Sequence, residues 1–250
     1  MKARGRTLCE TITGEPYQPV RIYYRVLKKG AMLGRLKRLK CISPEQNNHR
    51  WNWFYVAEAR EIAYDIPYSE IPKHYRPVRL GYFEWRSAEE LHLNAFSFQG
   101  AIKALNFFEQ KFNLHLALPE RIRVVNLCFD ESETLTPSKP HPSFDELFER
   151  DDVHIPQPEK FKEHIAQINA EYDDPEERSE AFDKFMREDS QQPSQEVEEM
   201  SIRIDDKEWA SMLSVGLMLK QIEAIEHWKG NKSFTPQDAI EELLSMTDDF

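Results

Sequence analysis

The sequence predicts an α+β fold: an N-terminal mixed or antiparallel sheet carrying two packed helices, followed by an acidic, mainly helical region. Three observations carry that expectation. Phe98, Ile102, Leu105, Phe108 and Phe112 recur at helical spacing, while Lys103, Asn106, Glu109 and Gln110 fall off the stripe. Runs suited to strands flank this helix, with Leu91, Leu93 and Ala95 alternating against polar residues before it and the β-prone run Arg121 to Phe129 after it. Charge also divides along the chain. Through Leu127 there are 21 basic and 12 acidic residues, a net of +9; the remainder holds 12 basic and 32 acidic, a net of −20, for a total of −11.

Taken in order, Pro19 to Leu27 alternates Ile22, Tyr24 and Val26 with Arg21, Tyr23 and Arg25, the pattern of a half-buried strand with a basic, aromatic outer face. Ala31 to Cys41 suits a short helix with Arg35, Lys37 and Arg38 outward, although Gly34 disfavours it. Trp51 to Val56 is a dense aromatic strand. Pro67, Pro72 and Pro77 make residues 57–77 a surface wrap, and the sheet resumes at Val78 to Arg86 as the first arm of a hairpin. Ser97 is placed to cap the central helix, which should end near Asn113. The resulting order β, α, β, β, β, α, β is ferredoxin-like with one extra strand.

Composition shifts to Glu, Ser, Thr and Pro at 130–142, which marks a linker between a basic domain at 1–129 and the acidic region at 143–250. Ser143 and Glu146 form a capping box for a short helix. Phe161, Ile165, Ile168 and Tyr172 mark a second helix, and Asp174 followed by Pro175 opens a third, which is acidic. Val197 to Ile204 suits a short strand, Trp209 to Leu219 an uncharged helical segment continued by Gln221 to Lys229, and Thr235 with Pro236 the start of a last helix. The closing Asp248, Asp249 and Phe250 resemble the acidic, phenylalanine-terminated tail of bacterial single-stranded DNA-binding proteins. A predicted helix precedes them where that family has a long disordered linker, so nothing is carried over.

Several chemistries are disfavoured. No glycine-rich phosphate loop, HExxH or GxSxG occurs, and the eight histidines show no zinc-ligand spacing, so neither a cofactor nor a metal is expected. Asp151, Asp152 and His154, with His141, are explained by a solvated acidic loop. Carboxylates such as Glu176 with Glu180 and Glu198 with Glu199 read as helix surface, with no companion to separate their pKa values. Met1 to Glu10 lacks the apolar core of a secretory signal, no stretch suits a membrane span, and Cys9, Cys41 and Cys128 fit no disulfide framework. A cytoplasmic location is expected.

What remains is a cluster of basic groups interleaved with tyrosine: Arg21, Tyr23, Arg25, Lys28, Lys29, Arg35, Lys37, Arg38 and Lys40. Cations meet phosphates or carboxylates, and aromatic rings stack bases. The function this supports is a non-catalytic binding or adaptor protein whose basic face takes an anionic partner, protein or nucleic acid. The acidic region would then compete for that face or recruit a second protein, or the two halves neutralise each other within one fold. Trp209, Met212, Leu213, Leu217 and Leu219 are the expected surface for a protein partner or for homo-oligomerisation. The alternative is an enzyme assembled from distant residues, for which Glu84 and His92 are the first candidates.

Overall fold

The computed structural model describes residues 2–3, 5–46, 49–112, 115–131, 142–202 and 209–247. Among them are a small hairpin, β1 (Lys2–Ala3) with β2 (Arg6–Thr7), and a seven-stranded sheet in which every neighbouring pair is antiparallel. The sheet strands are β3 (Val20–Val26), β4 (Ile42–Pro44), β5 (Arg50–Phe54), β6 (Arg79–Trp85), β7 (Glu90–Ala95), β8 (Ala117–Val125) and β9 (Val197–Ser201), in the spatial order β4-β5-β6-β7-β3-β8-β9. Seven helices are described: α1 (Lys29–Leu36), α2 (Phe98–Lys111), α3 (Phe144–Phe148), α4 (Pro158–Glu171), α5 (Pro175–Ser190), α6 (Trp209–Lys229) and α7 (Pro236–Thr247). None of them is long and apolar enough to cross a membrane.

The period-two pattern of β3 decides what lies on each face. Ile22, Tyr24 and Val26 join Leu91, Leu93, Phe83, Trp51 and Trp53 in one core, covered by Met32 and Leu36 of α1 and by the apolar stripe of α2. Phe108 sits at its centre, with ring centroids 4.8 Å from Phe83 and 5.1 Å from Trp53. Ser97 caps α2 by accepting the Gly100 amide at 2.9 Å. Gly81 allows β6 and β7 to close here, because a Cβ at that position would lie 2.3 Å from the Asn94 carbonyl oxygen.

Two strands differ from expectation. The three residues Ile42–Pro44 pair with Trp51 to Trp53, adding an edge strand too short to show a period. The strand expected at 121–129 runs from Ala117 to Val125, with Pro119 opposite Tyr24 where the register shifts. Such an irregularity tolerates a residue that has no amide to donate. The acidic half completes the same sheet: β9 pairs with β8 in register Arg123 to Glu199, and Leu213 and Leu217 of α6 enter the main core. On the opposite face, Phe144, Leu147 and Phe148 of α3 form a second cluster with Tyr82, Val125 and Val197. The capping box of α3 is complete, its Ser143 hydroxyl and Glu146 carboxylate each accepting the other's backbone amide.

Candidate anion-binding groove

α1 contains two glycines and is held by packing rather than propensity. Met32 and Leu36, four residues apart, anchor it in the core, which leaves Gly30, Ala31, Gly34 and Arg35 on its outer side. This side faces the end of α2 across an open groove of about 690 Å³, lined by Gly30, Gly34, Arg35, Arg38, Lys111 and Phe112 among others. Among the described residues, no atom other than those of the adjacent residues and the helix's own backbone lies within 4 Å of a Cβ built on Gly30 or Gly34, so both positions face open space. Arg35 spans it, donating from Nε to the Lys111 carbonyl, one of the oxygens that a helix end leaves without an internal partner.

The nine basic and aromatic residues separate into two places. Lys28, Lys37, Arg38 and Lys40 are exposed around α1 and form no ion pair among the described residues. Lys29 lies 4.9 Å from the Trp85 ring centroid and 3.4 Å from the Ser87 carbonyl oxygen, while Arg25 pairs with Glu120. Arg21 and Tyr23 lie elsewhere, on the sheet face that α3 covers. Arg21 is 0% exposed: Nε donates to Asn94 Oδ1 at 2.8 Å, Nη1 to Glu149 Oε1 at 2.7 Å and Nη2 to Asp145 Oδ1 at 2.8 Å. Burial pushes against ionisation of the Asp145 carboxyl, but the bonds and charges of Arg21 and Arg86 outweigh it and hold the group below the usual range. Tyr23 is buried beneath the guanidinium groups of Arg121 and Arg123, and its hydroxyl is raised by that burial despite the nearby cations. Lys111, missed in the sequence, joins the groove because α2 ends beside α1; the only local signal was a cation in the last turn of an amphipathic helix.

Glu84 and His92 stand opposite each other in the β6–β7 register and are both buried. They bond to different partners. Glu84 Oε1 accepts from Arg50 Nε at 2.8 Å, and His92 Nε2 lies 2.8 Å from Glu90 Oε1. Burial first, then the charges of Arg21 and Arg86, lower the His92 pKa against the opposing pull of Glu90, so the ring is neutral at pH 7. Of the acidic-loop residues, Asp152 pairs with Arg150 and the His154 backbone bonds to Val197 and Glu199; His141 lies outside the described residues. No group of three or more His, Cys, Asp or Glu side chains suited to a metal ion occurs among the described residues.

The α6 set divides as well. Leu213 and Leu217 are buried, and Trp209 packs against the same core. Leu219 is half-buried, whereas Met212 is 63% exposed and continues through Val215 and Met218 as an apolar stripe on the outer side. The residues Asp248, Asp249 and Phe250 lie outside the described residues. No protein-family model, curated protein or solved structure matches the chain.

Proposed function

We propose that this is a non-catalytic binding protein of the cytoplasm whose α1 groove takes an anionic partner, and that the partner is an acidic protein segment. The observation that carries this reading is a groove bounded by Arg35, Arg38 and Lys111, surrounded by the exposed cations Lys28, Lys37 and Lys40. Unpaired surface cations attract anionic chains and accelerate their encounter. Tyr23 and Tyr24, which would have to stack unpaired bases beside these cations, are both buried, and this favours carboxylates over single-stranded nucleic acid. The acidic region serves the fold in the same reading, Asp145 and Glu149 occupying the one basic residue of the set that faces away from solvent. We read the central strands β8-β3-β7-β6 with α1 and α2 as ferredoxin-like, extended by β5, β4 and β9; such a shape supports many functions and does not choose among them. The stripe Met212, Val215 and Met218 is the surface we assign to self-association, on the ground of its exposure.

Fluorescence anisotropy with a labelled Asp/Glu-rich peptide and a labelled single-stranded RNA of equal charge, each across a salt series, tests the reading. The peptide should bind more tightly than the RNA, and binding should weaken as salt rises. Lys37→Gln, Arg38→Gln and Lys40→Gln together should lower affinity by about tenfold or more while leaving stability unchanged, because all three side chains are exposed. Unchanged affinity in this variant would remove the groove from consideration. Tighter binding of the RNA would overturn the choice of partner.

A further inference from the structure

The surface wrap between β5 and β6 contains a second, independent site. Tyr68 lies at its centre, with the Arg60 guanidinium 4.2 Å from its ring centroid and that of Arg76 4.5 Å from it. Arg76 is fixed by Nε donating to the Ile71 carbonyl at 2.8 Å and Nη2 to the Ser69 carbonyl at 3.1 Å. Arg60 is exposed, and among the described residues its guanidinium makes no hydrogen bond or ion pair. Both arginines line an open cup of about 690 Å³ whose walls include Tyr55, Tyr64, Ile62 and Pro67. The size is that of a small-molecule site, and the combination of apolar walls with a few fixed polar groups is what such sites share.

Tyr64 adds to the apolar wall. It lines the cup and is 8% exposed, but its hydroxyl oxygen is itself enclosed and has no hydrogen-bond partner among the described residues. The neighbouring Tyr55 hydroxyl is already committed, donating to the Ile62 carbonyl at 2.9 Å. Burial raises the Tyr64 pKa far above its ordinary value, with Glu15 and Tyr55 adding to the shift, so the group remains protonated at any physiological pH. One carboxylate, Glu61, also lines the cup and is exposed, leaving two guanidinium groups against one acid. Both guanidinium groups lie over the Tyr68 ring, and the fork of Arg60 remains able to donate two parallel hydrogen bonds to an oxyanion.

We propose that this cup binds a small organic oxyanion, a phosphate monoester or carboxylate on an apolar body, with Arg60 holding the head group and Tyr64, Ile62 and Pro67 contacting the body. Isothermal titration calorimetry of the full chain at low salt with phenyl phosphate, benzoate and inorganic phosphate tests it. At least one aromatic anion should bind at a single site, and inorganic phosphate should bind more weakly for want of the apolar contacts. Arg60→Gln should weaken binding by roughly tenfold or more, since a charge-assisted pair is lost. Tyr64→Phe removes only an enclosed hydroxyl and should leave binding unchanged, as should Arg38→Gln, in the α1 groove. No saturable binding of any of the three anions, or an Arg60→Gln variant that binds as the parent does, overturns the proposal. Loss of binding in Arg38→Gln with retention in Arg60→Gln does the same, because it places the anion in the groove.

Discussion

Replacing Arg21 by methionine should destabilise the protein by about 3 kcal/mol, and the figure follows from how unequally its partners are buried. Asp145 and Glu149 are 42% and 43% exposed, so each regains water when the guanidinium goes, and their joint loss is small, about 1 kcal/mol after screening. Asn94 is different. It is fully buried, its Nδ2 has no partner among the described residues, and removing Arg21 leaves Oδ1 without its 2.8 Å donor, at a cost of about 1–3 kcal/mol. The reverse experiment should be worse. Asp145→Asn with Glu149→Gln keeps a cation that water cannot easily reach, so this double variant should fall below Arg21→Met, by about 3–5 kcal/mol from the parent. Adding Arg21→Met to it should then recover stability. Urea unfolding followed by far-UV circular dichroism, with the slope checked for constancy, gives the values. A loss below about 1 kcal/mol for Arg21→Met, or a double variant more stable than Arg21→Met, would refute the reasoning.

The glycines offer an opposed pair. Gly81→Ala would put a methyl 2.3 Å from the Asn94 carbonyl oxygen and should cost about 3 kcal/mol or more, whereas Gly34→Ala meets open space inside a helix and should raise the melting temperature by about 2–4 °C. On α6, Leu217→Ala should cost about 2–4 kcal/mol and Met212→Gln less than about 0.5, since the first side chain is buried and the second exposed. Stability should also fall on acidification. His92 has a lowered folded pKa, so the unfolded chain takes up a proton near pH 6.5 that the folded chain resists, and this contribution is present above that pH and lost as pH falls through the folded value. Asp145, also lowered, acts in the same direction at lower pH. His92→Gln should remove the first part of the decline in the unfolding midpoint, and an unchanged pH profile would contradict this.

Elements that stand on their own periodicity were legible in the sequence. The stripe of α2, its Ser97 cap, the alternation of β3 and the capping box of α3 are each written within a few residues. β4 was not, because three residues show no period and pairing with β5 defines them. Alternation put Arg21 on the correct face of its strand, but what lies over that face arrives 124 residues later in Asp145. Within Trp209 to Leu219, uniform hydrophobicity concealed that Leu213 and Leu217 face inward and Met212 outward. The groove had the same difficulty. The cations of α1 were evident, yet Lys111 joins them only through the packing of α1 and α2 against one sheet. Arg60, Tyr68 and Arg76 fall within the proline-punctuated wrap at 57–77, where no local period brings them together and only the fold sets both guanidinium groups over one ring.

The most direct measurement of the central claim is an amide NMR titration with the Asp/Glu-rich peptide, followed at the glycines. Gly30 and Gly34 line the groove, Gly81 is packed between strands and Gly216 lies on α6, so four cross-peaks report three regions. The α1 groove predicts that Gly30 and Gly34 shift to saturation while Gly81 and Gly216 stay in place. Stationary Gly30 and Gly34 resonances at saturating peptide, or movement of Gly216 in their stead, would contradict it.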